Sequence, residues 1–180
     1  KSPGQMVGYY KRPDLDAESF TADGFFKTGD LGSRRPDGQL KITGRLKELF
    51  KTSKGKYVAP VPIENRLGGH GLIEAVCVTG PSFTQPFGLL MLSLEGHQLI
   101  ESDPAAAQRV TQELEELLKS VNAQLEAHEV LSCLIVVKDM WTMENGFLTP
   151  TMKIKRNVVE ERYLPNADTW VDMRKTVIWE

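Results

Sequence analysis

The spacing of apolar and polar positions changes character along the chain near Arg45 to Glu48. Residues 1–46 set short aromatic runs, GYY and GFF, among Gly, Pro and Asp, a pattern that predicts short strands and tight turns. Asp37 and Gly38, between Arg35 and Leu40, predict a hairpin turn leading into a strand at Gln39 to Thr43. Beyond GRLKELFKTSKGKY, Val61 to Leu67 predicts a short helix among prolines. Glu74 to Thr79 and Phe87 to Leu94 predict apolar strands, joined by a loop at Gly80 to Gln85. The strongest helical signal starts at Asp103 as cap, with Pro104 at the first helical position. Val110, Leu114, Leu117, Leu118, Val121 and Leu125 then recur on one face, while Glu113, Glu115, Glu116 and Lys119 fill a solvated one. Leu131 to Val137 is an apolar, β-branched run of buried-strand type, and Asn157 to Tyr163 predicts a short helix. Strands alternating with helices make the second stretch a compact α+β or α/β domain, without internal repeats.

Composition narrows the function classes. A hydrophobic fraction of 41% and a charged fraction of 26% are those of an ordinary globular protein. A formal net charge of -2 gives no overall attraction to nucleic acid or anionic lipid, so any electrostatic function must be local. Both cysteines, Cys77 and Cys133, lie inside apolar runs, as reduced core residues do, which points to a reducing, cytoplasmic setting. No apolar stretch is long enough to span a bilayer, and the KSPGQMVGYY terminus lacks the character of a secretory signal. Without an initiator methionine, the chain is expected to be part of something longer.

Two basic segments stand out locally. Lys41, Arg45, Lys47, Lys51, Lys54 and Lys56 face a lone Glu48, interleaved with Gly44 and Gly55, and such a segment can offer backbone N–H groups and cations to phosphates. Lys153, Lys155 and Arg156 follow LTPT in a strand-like stretch whose alternation puts Lys153 and Lys155 on one face, Ile154 and Arg156 on the other. Taken singly, each segment is read as solvated surface. His70, His97 and His128 lack a second ligand at metal-binding spacing, so no metal site is predicted. Ser53 and Ser82 suggest no hydrolase triad, and Trp141, Trp170 and Trp179 are read as packing residues.

Taken in order, MVGYYKRPD, GFFKTGDLG, ITGRLKELFKTSKGKYVAPVPIE and LTPTMKIKR are similar to the carboxyl-terminal motifs of acyl-CoA synthetases of the adenylate-forming superfamily. The resemblance runs from about Met6 to Tyr163, and ENGFLTPTMKIKR looks like the long-chain fatty acyl members. It implies an α+β fold: a small mobile lid domain at 47–180, with a short β-sheet flanked by helices, after a β-rich end of a large AMP-binding domain at 1–46.

The resemblance also implies roles for single residues. Asp30 matches an aspartate that accepts hydrogen bonds from the ATP ribose, and Arg45 an arginine that donates to the same ribose. Lys47 falls at the hinge where the small domain rotates, a position at which the family often has Asp. Gly55 matches a loop that approaches the pantetheine arm of coenzyme A, which a glycine lets pass closely. Lys153 matches the catalytic lysine that bridges the substrate carboxylate and the ATP phosphate; it, and not Lys155, begins the pattern Lys, apolar, any residue, Arg, although Met152 stands before it where relatives of the acetate type have glycine.

The implied activity is that of an acid–thiol ligase using ATP, coenzyme A and Mg²⁺ on a fatty acid. The phosphate loop, most of the Mg²⁺ site and the acyl pocket are expected in the large domain, so the 180-residue chain alone is expected to be inactive. The resemblance admits peripheral membrane association and leaves the oligomeric state open. Two other readings remain open: a fatty acyl-AMP ligase or adenylation domain that loads a carrier protein, and a non-catalytic binding module of the same shape.

Overall fold

A computed structural model describes residues 2–103 and 105–180, which divide into two compact units, Lys1–Lys47 and Glu48–Glu180. The fold is mixed α+β, built of small sheets and helices.

In the first unit, β1 (Asp30–Arg34) and β2 (Leu40–Arg45) form an antiparallel hairpin, and Arg34 pairs with Leu40 across the Asp37-Gly38 turn. Asp37 accepts the Gln39 N–H at 3.0 Å, and Gly38 adopts φ +87, the left-handed conformation that glycine enters without steric cost. One element departs from the expectation of strands and turns alone: α1 (Pro13–Ser19) is helical. Pro13 pre-sets φ at its first turn, and Asp14 and Asp16 sit where the helix dipole favours negative charge. Phe20 and Phe26 bridge and stack edge-on at 5.4 Å.

In the second unit, β3 (Phe50–Lys51) and β4 (Tyr57–Val58) form a small hairpin ahead of α2 (Pro60–Leu67). A four-stranded sheet follows in the order β5 (Ile73–Thr79), β6 (Phe87–Leu92), β7 (Leu134–Val136), β8 (Val177–Trp179); β5 and β6 are antiparallel, the remaining pairs parallel. Side chains that alternate along these strands feed two separate cores. Val76, Val78, Leu90, Leu92, Leu134, Val136 and Val177 pack with Ile63 and Leu67 of α2 and with Val110, Leu114, Leu118 and Val121. Cys77, Phe87, Leu89, Met91, Ile135 and Ile178 pack with Trp141, Val159, Tyr163, Ala167 and Trp170. Burial on both faces explains why these strands read as unbroken apolar runs. Gly88 is required by close approach: a Cβ there would stand 2.9 Å from Leu134 Cδ2.

Three helical boundaries differ from those the sequence predicts. Leu94, expected to end a strand, opens α3 (Leu94–Ser102), whose cap Ser93 accepts the Gly96 N–H at 3.2 Å. The long helix is α4 (Ala106–Asn122); Asp103 closes α3, accepts the Ala105 N–H at 2.8 Å and pairs with Arg109, while Pro104 lies outside the described residues. The last helix, α5 (Arg156–Asp172), runs well past Tyr163 and through Pro165. Proline costs a backbone hydrogen bond there, but the buried Ala167 and Trp170 hold the following turns against the sheet. Trp141 and Trp170 are core residues, as expected; Trp179 is 37% exposed and donates its indole N–H to Thr111 at 2.9 Å. Among the described residues no helix is long and apolar enough to cross a membrane.

Candidate functional site

Lys153 sits on a short hairpin between the second core and α5. Leu148 and Ile154 bridge antiparallel, and the Lys155 N–H donates to the Phe147 carbonyl at 2.8 Å. The tip closes over Thr149-Pro150-Thr151-Met152. Met152 N–H donates to the Thr149 carbonyl at 2.8 Å, Thr149 N–H to the Lys153 carbonyl at 2.8 Å, and Lys153 N–H to Thr149 Oγ1 at 3.0 Å. Proline inside the turn and the threonine hydroxyl make this tip a local property of the TPTMK sequence. Met152 adopts φ +59, the left-handed conformation natural to glycine, at a cost of about 1–2 kcal/mol. The Lys153 side chain is exposed. Beside the hairpin runs a groove of about 630 Å³ whose lining includes Met91, Trp141, Leu148, Met152 and Ile154.

The alternation expected for Lys153 to Arg156 does not continue as a strand. Lys155 is the N-cap of α5 and Arg156 its first residue, so the helix turns the Arg156 side chain inward, with 19% of it exposed. This corrects the reading of Arg156 as surface, while Lys153 is exposed as that reading expected. Arg156 donates to Glu64 Oε1 at 2.6 Å, to the Val78 carbonyl at 2.6 Å and to Cys77 Sγ at 3.2 Å, and Glu64 Oε1 also accepts the Val78 N–H at 2.8 Å. Burial lifts the Glu64 carboxyl above its ordinary range, and the Arg156 charge offsets this only in part. Burial also pushes the Cys77 thiol up to about 12, so it stays protonated beside the guanidinium. One helical turn on, Thr79 donates to Glu160 at 2.6 Å. Glu64 went unnoticed as a chemical residue because nothing local marks it; the only signal was its place at the end of the PVPIE motif.

Gly55 lies on the β3–β4 hairpin with φ +78, its N–H donating to the Thr52 carbonyl at 2.9 Å. Backbone bonds from Ser53 to the Phe83 carbonyl at 2.9 Å and from Ser82 to the Lys51 carbonyl at 3.0 Å dock this hairpin on the Gly80–Gln85 loop. Lys51, Lys54 and Lys56 are exposed around it, with the Lys51 ammonium 5.7 Å from the Tyr57 ring centre. Lys153 and Gly55 thus occupy separate hairpins of one unit.

In the first unit the β1–β2 register sets Asp30 opposite Arg45, and Arg45 Nε meets Asp30 Oδ1 at 3.2 Å. The pair is open to solvent, with 57% of the Arg45 side chain and 27% of the Asp30 side chain exposed. Lys47, exposed, falls in a single 3-10 turn, Leu46–Glu48, at the division between the units. Among the described residues no group of three or more His, Cys, Asp or Glu could hold a metal ion. His70 accepts the Leu72 N–H at 3.3 Å and approaches Glu113 at 3.4 Å, and His128 approaches Glu126 at 3.6 Å.

Residues 48–171 match the family described as the AMP-binding enzyme C-terminal domain. The chain is 37% identical over 174 residues to the long-chain-fatty-acid–CoA ligase FadD15 of Mycobacterium tuberculosis, which covers 89% of this chain and 28% of the ligase. It is 32% identical to the peroxisomal long chain acyl-CoA synthetase 7 of Arabidopsis thaliana, over 87% of this chain and 24% of that protein. The chain therefore spans about a quarter of the length of these relatives. Among solved structures, the adenylation domain of a carboxylate reductase from Mycobacterium chelonae superposes with a TM-score of 0.77 at 28% identity, over 96% of this chain and 27% of that one. The corresponding domain from Segniliparus rugosus, in complex with AMP and a co-purified carboxylic acid, gives 0.76 at 27% identity, over 97% and 28%.

Proposed function

The chain belongs to the AMP-binding enzyme C-terminal domain family, and from that premise we propose that it is the carboxyl-terminal part of a long-chain fatty acid–CoA ligase. In that enzyme a fatty acid carboxylate oxygen attacks the α-phosphorus of ATP and expels pyrophosphate. The coenzyme A thiol then attacks the acyl carbon of the mixed anhydride and expels AMP. Residues 1–46 are the end of a large AMP-binding domain, and 47–180 the lid that turns about Lys47 between the two steps. The observation that carries this reading is the exposed ammonium of Lys153 at the tip of a hairpin closed by its own backbone bonds. Such a cation can reach a carboxylate and a phosphate together and offset the charge that builds as pyrophosphate leaves.

Asp30 and Arg45, side by side, suit the two hydroxyls of a ribose: the carboxylate accepts from them and the guanidinium donates to them. Gly55, on a separate hairpin with lysines around it, suits the phosphate-bearing arm of coenzyme A in the second step. Among the described residues no group of three His, Cys, Asp or Glu offers Mg²⁺ a ligand set, and the ion's ligands are assigned to the large domain. The buried free thiols of Cys77 and Cys133 fit a reducing compartment such as the cytoplasm.

In the full-length enzyme, Lys153→Ala is expected to slow acyl-adenylate formation by two orders of magnitude or more, about 3 kcal/mol in the barrier. Formation of acyl-CoA from supplied acyl-adenylate is expected to continue at nearly the parental rate. Equal loss in both half-reactions rejects the role. The structural likeness to carboxylate reductase adenylation domains, one of them solved as an A-PCP didomain, favours a second reading, in which the acyl group goes to a carrier protein. Competition between coenzyme A and a phosphopantetheinylated carrier for the same acyl-adenylate separates the two.

A further inference from the structure

We propose that Arg156, clamped to Glu64, is the positioning residue that holds the Lys153 hairpin in register for adenylate formation. This inference rests on the assignment of Lys153 to that step.

Position along the chain is the first ground. Lys153 and Arg156 are separated by Ile154, which bridges to Leu148, and Lys155, whose N–H is held by Phe147. There is no slack between the lysine and the guanidinium. An anchor at Arg156 therefore limits where the Lys153 backbone can stand.

The anchor itself is the second ground. β5 lies at the edge of its sheet, and an edge strand presents backbone N–H and C=O groups that need partners. At Val78 both are taken: Glu64 of α2 accepts the N–H at 2.8 Å, and Arg156 of α5 donates to the C=O at 2.6 Å. The ring closes through the Arg156–Glu64 pair at 2.6 Å, with 19% and 15% of the two side chains exposed. One planar guanidinium thus joins α5, β5 and α2 along fixed directions, which a lysine ammonium cannot do at once.

Energy is the third. A buried ion pair adds little net stability over apolar side chains of similar volume, because desolvation offsets most of the attraction. The second core already holds α5 to the sheet through Val159, Tyr163, Ala167 and Trp170. What the clamp adds is orientation at the start of α5, where the hairpin leaves. An error of about 1 Å in a reacting group can cost on the order of 10²-fold in rate. The Gly55 hairpin, by contrast, is held by backbone bonds to Phe83 and Ser82, in which Arg156 takes no part.

The test uses the full-length ligase, with Arg156→Met, Arg156→Lys, Glu64→Gln and Lys153→Ala compared in separate assays of the two half-reactions. Arg156→Met is expected to slow pyrophosphate release on the order of 100-fold, with thioester formation from supplied acyl-adenylate changed less than about threefold. Arg156→Lys is expected to restore part of the loss, because an ammonium can meet Glu64 or the Val78 carbonyl but not both in the same geometry. If Arg156→Met does not fold, Glu64→Gln decides: it keeps an acceptor for Val78 and Arg156 without the charge, and a selective loss in adenylate formation is again expected. Equal losses in both half-reactions, or no loss, overturn the inference. A split for Lys153→Ala without one for Arg156 and Glu64 sinks the clamp alone; no split for Lys153→Ala sinks the reading beneath it.

Discussion

Among the described residues every buried hydrophobic side chain lies in Glu48–Glu180, from Phe50 onward, whereas Lys1–Lys47 carries Val7, Tyr10, Leu40, Ile42 and Leu46 on its surface. The second unit closes two cores on the opposite faces of one sheet. The first relies on a hairpin turn, one edge-on aromatic pair and solvent-exposed ion pairs such as Arg12–Asp14 at 2.6 Å. Exposed pairs of that kind are screened by water and add little, while each buried leucine contributes about 1.5–3 kcal/mol. Burial thus organises the unit that bears Lys153 and Gly55 from within.

The difference can be broken by mutation, and the largest effect is expected at its centre. Leu114→Ala, in the core between α4 and the sheet, should cost about 2–5 kcal/mol in urea unfolding of this chain, whereas Leu40→Ala, 69% exposed, should stay within about 0.5 kcal/mol. Comparable losses at the two sites would mean that the first unit buries Leu40 in solution. Two glycines sharpen the contrast between packing and backbone. Gly88→Ala drives a methyl toward Leu134 and is expected to cost about 1–3 kcal/mol. Gly55→Ala meets only the far end of Lys51 at 3.6 Å, so its cost is that of the φ +78 backbone, about 1–2 kcal/mol.

The smallest effect is one of pH, and it should appear in both units. The Arg12 side chain lowers the Asp14 carboxyl, and Arg109 with the Ala105 N–H lowers that of Asp103. A carboxyl lowered in the folded state binds its proton less readily than in the unfolded chain. Its contribution is therefore full above the unfolded value, near 3.9, and is lost as pH falls through the folded one. Asp14→Asn and Asp103→Asn should each lower stability slightly at pH 7, where the carboxylate's contribution is full, and converge with the parent as pH falls below about 4, which flattens the acid limb of the stability profile. An unaltered acid limb in both variants would show that these exposed pairs do not persist in solution.

Much of this architecture was readable in advance, for identifiable reasons. The 3.6-residue period from Val110 to Leu125 and the apolar runs at residues 74–79, 87–94 and 131–137 are strong local signals of burial. The Asp37-Gly38 turn depends on local backbone chemistry alone. Less was legible where an element is held by distant partners. α5 passes Pro165 because Ala167 and Trp170 find the sheet, and no window of its own sequence shows that surface. α3 buries only Gly96, so its apolar pattern was too weak to separate Leu94 from the strand before it.

The same division holds for the candidate site. Asp30, Arg45, Lys47, Gly55 and Lys153 were marked by ordered motifs, because short segments such as GFFKTGD and TPTMKIKR carry their own turns and charges. Only the tertiary structure set Asp30 against Arg45, since strand register is a relation between two segments. Only it could turn Arg156 from an apparent surface cation into a part-buried partner of Glu64, 92 residues away in sequence. Local composition determines what a segment can do chemically; which groups meet, and which lose their water, depends on how remote segments pack.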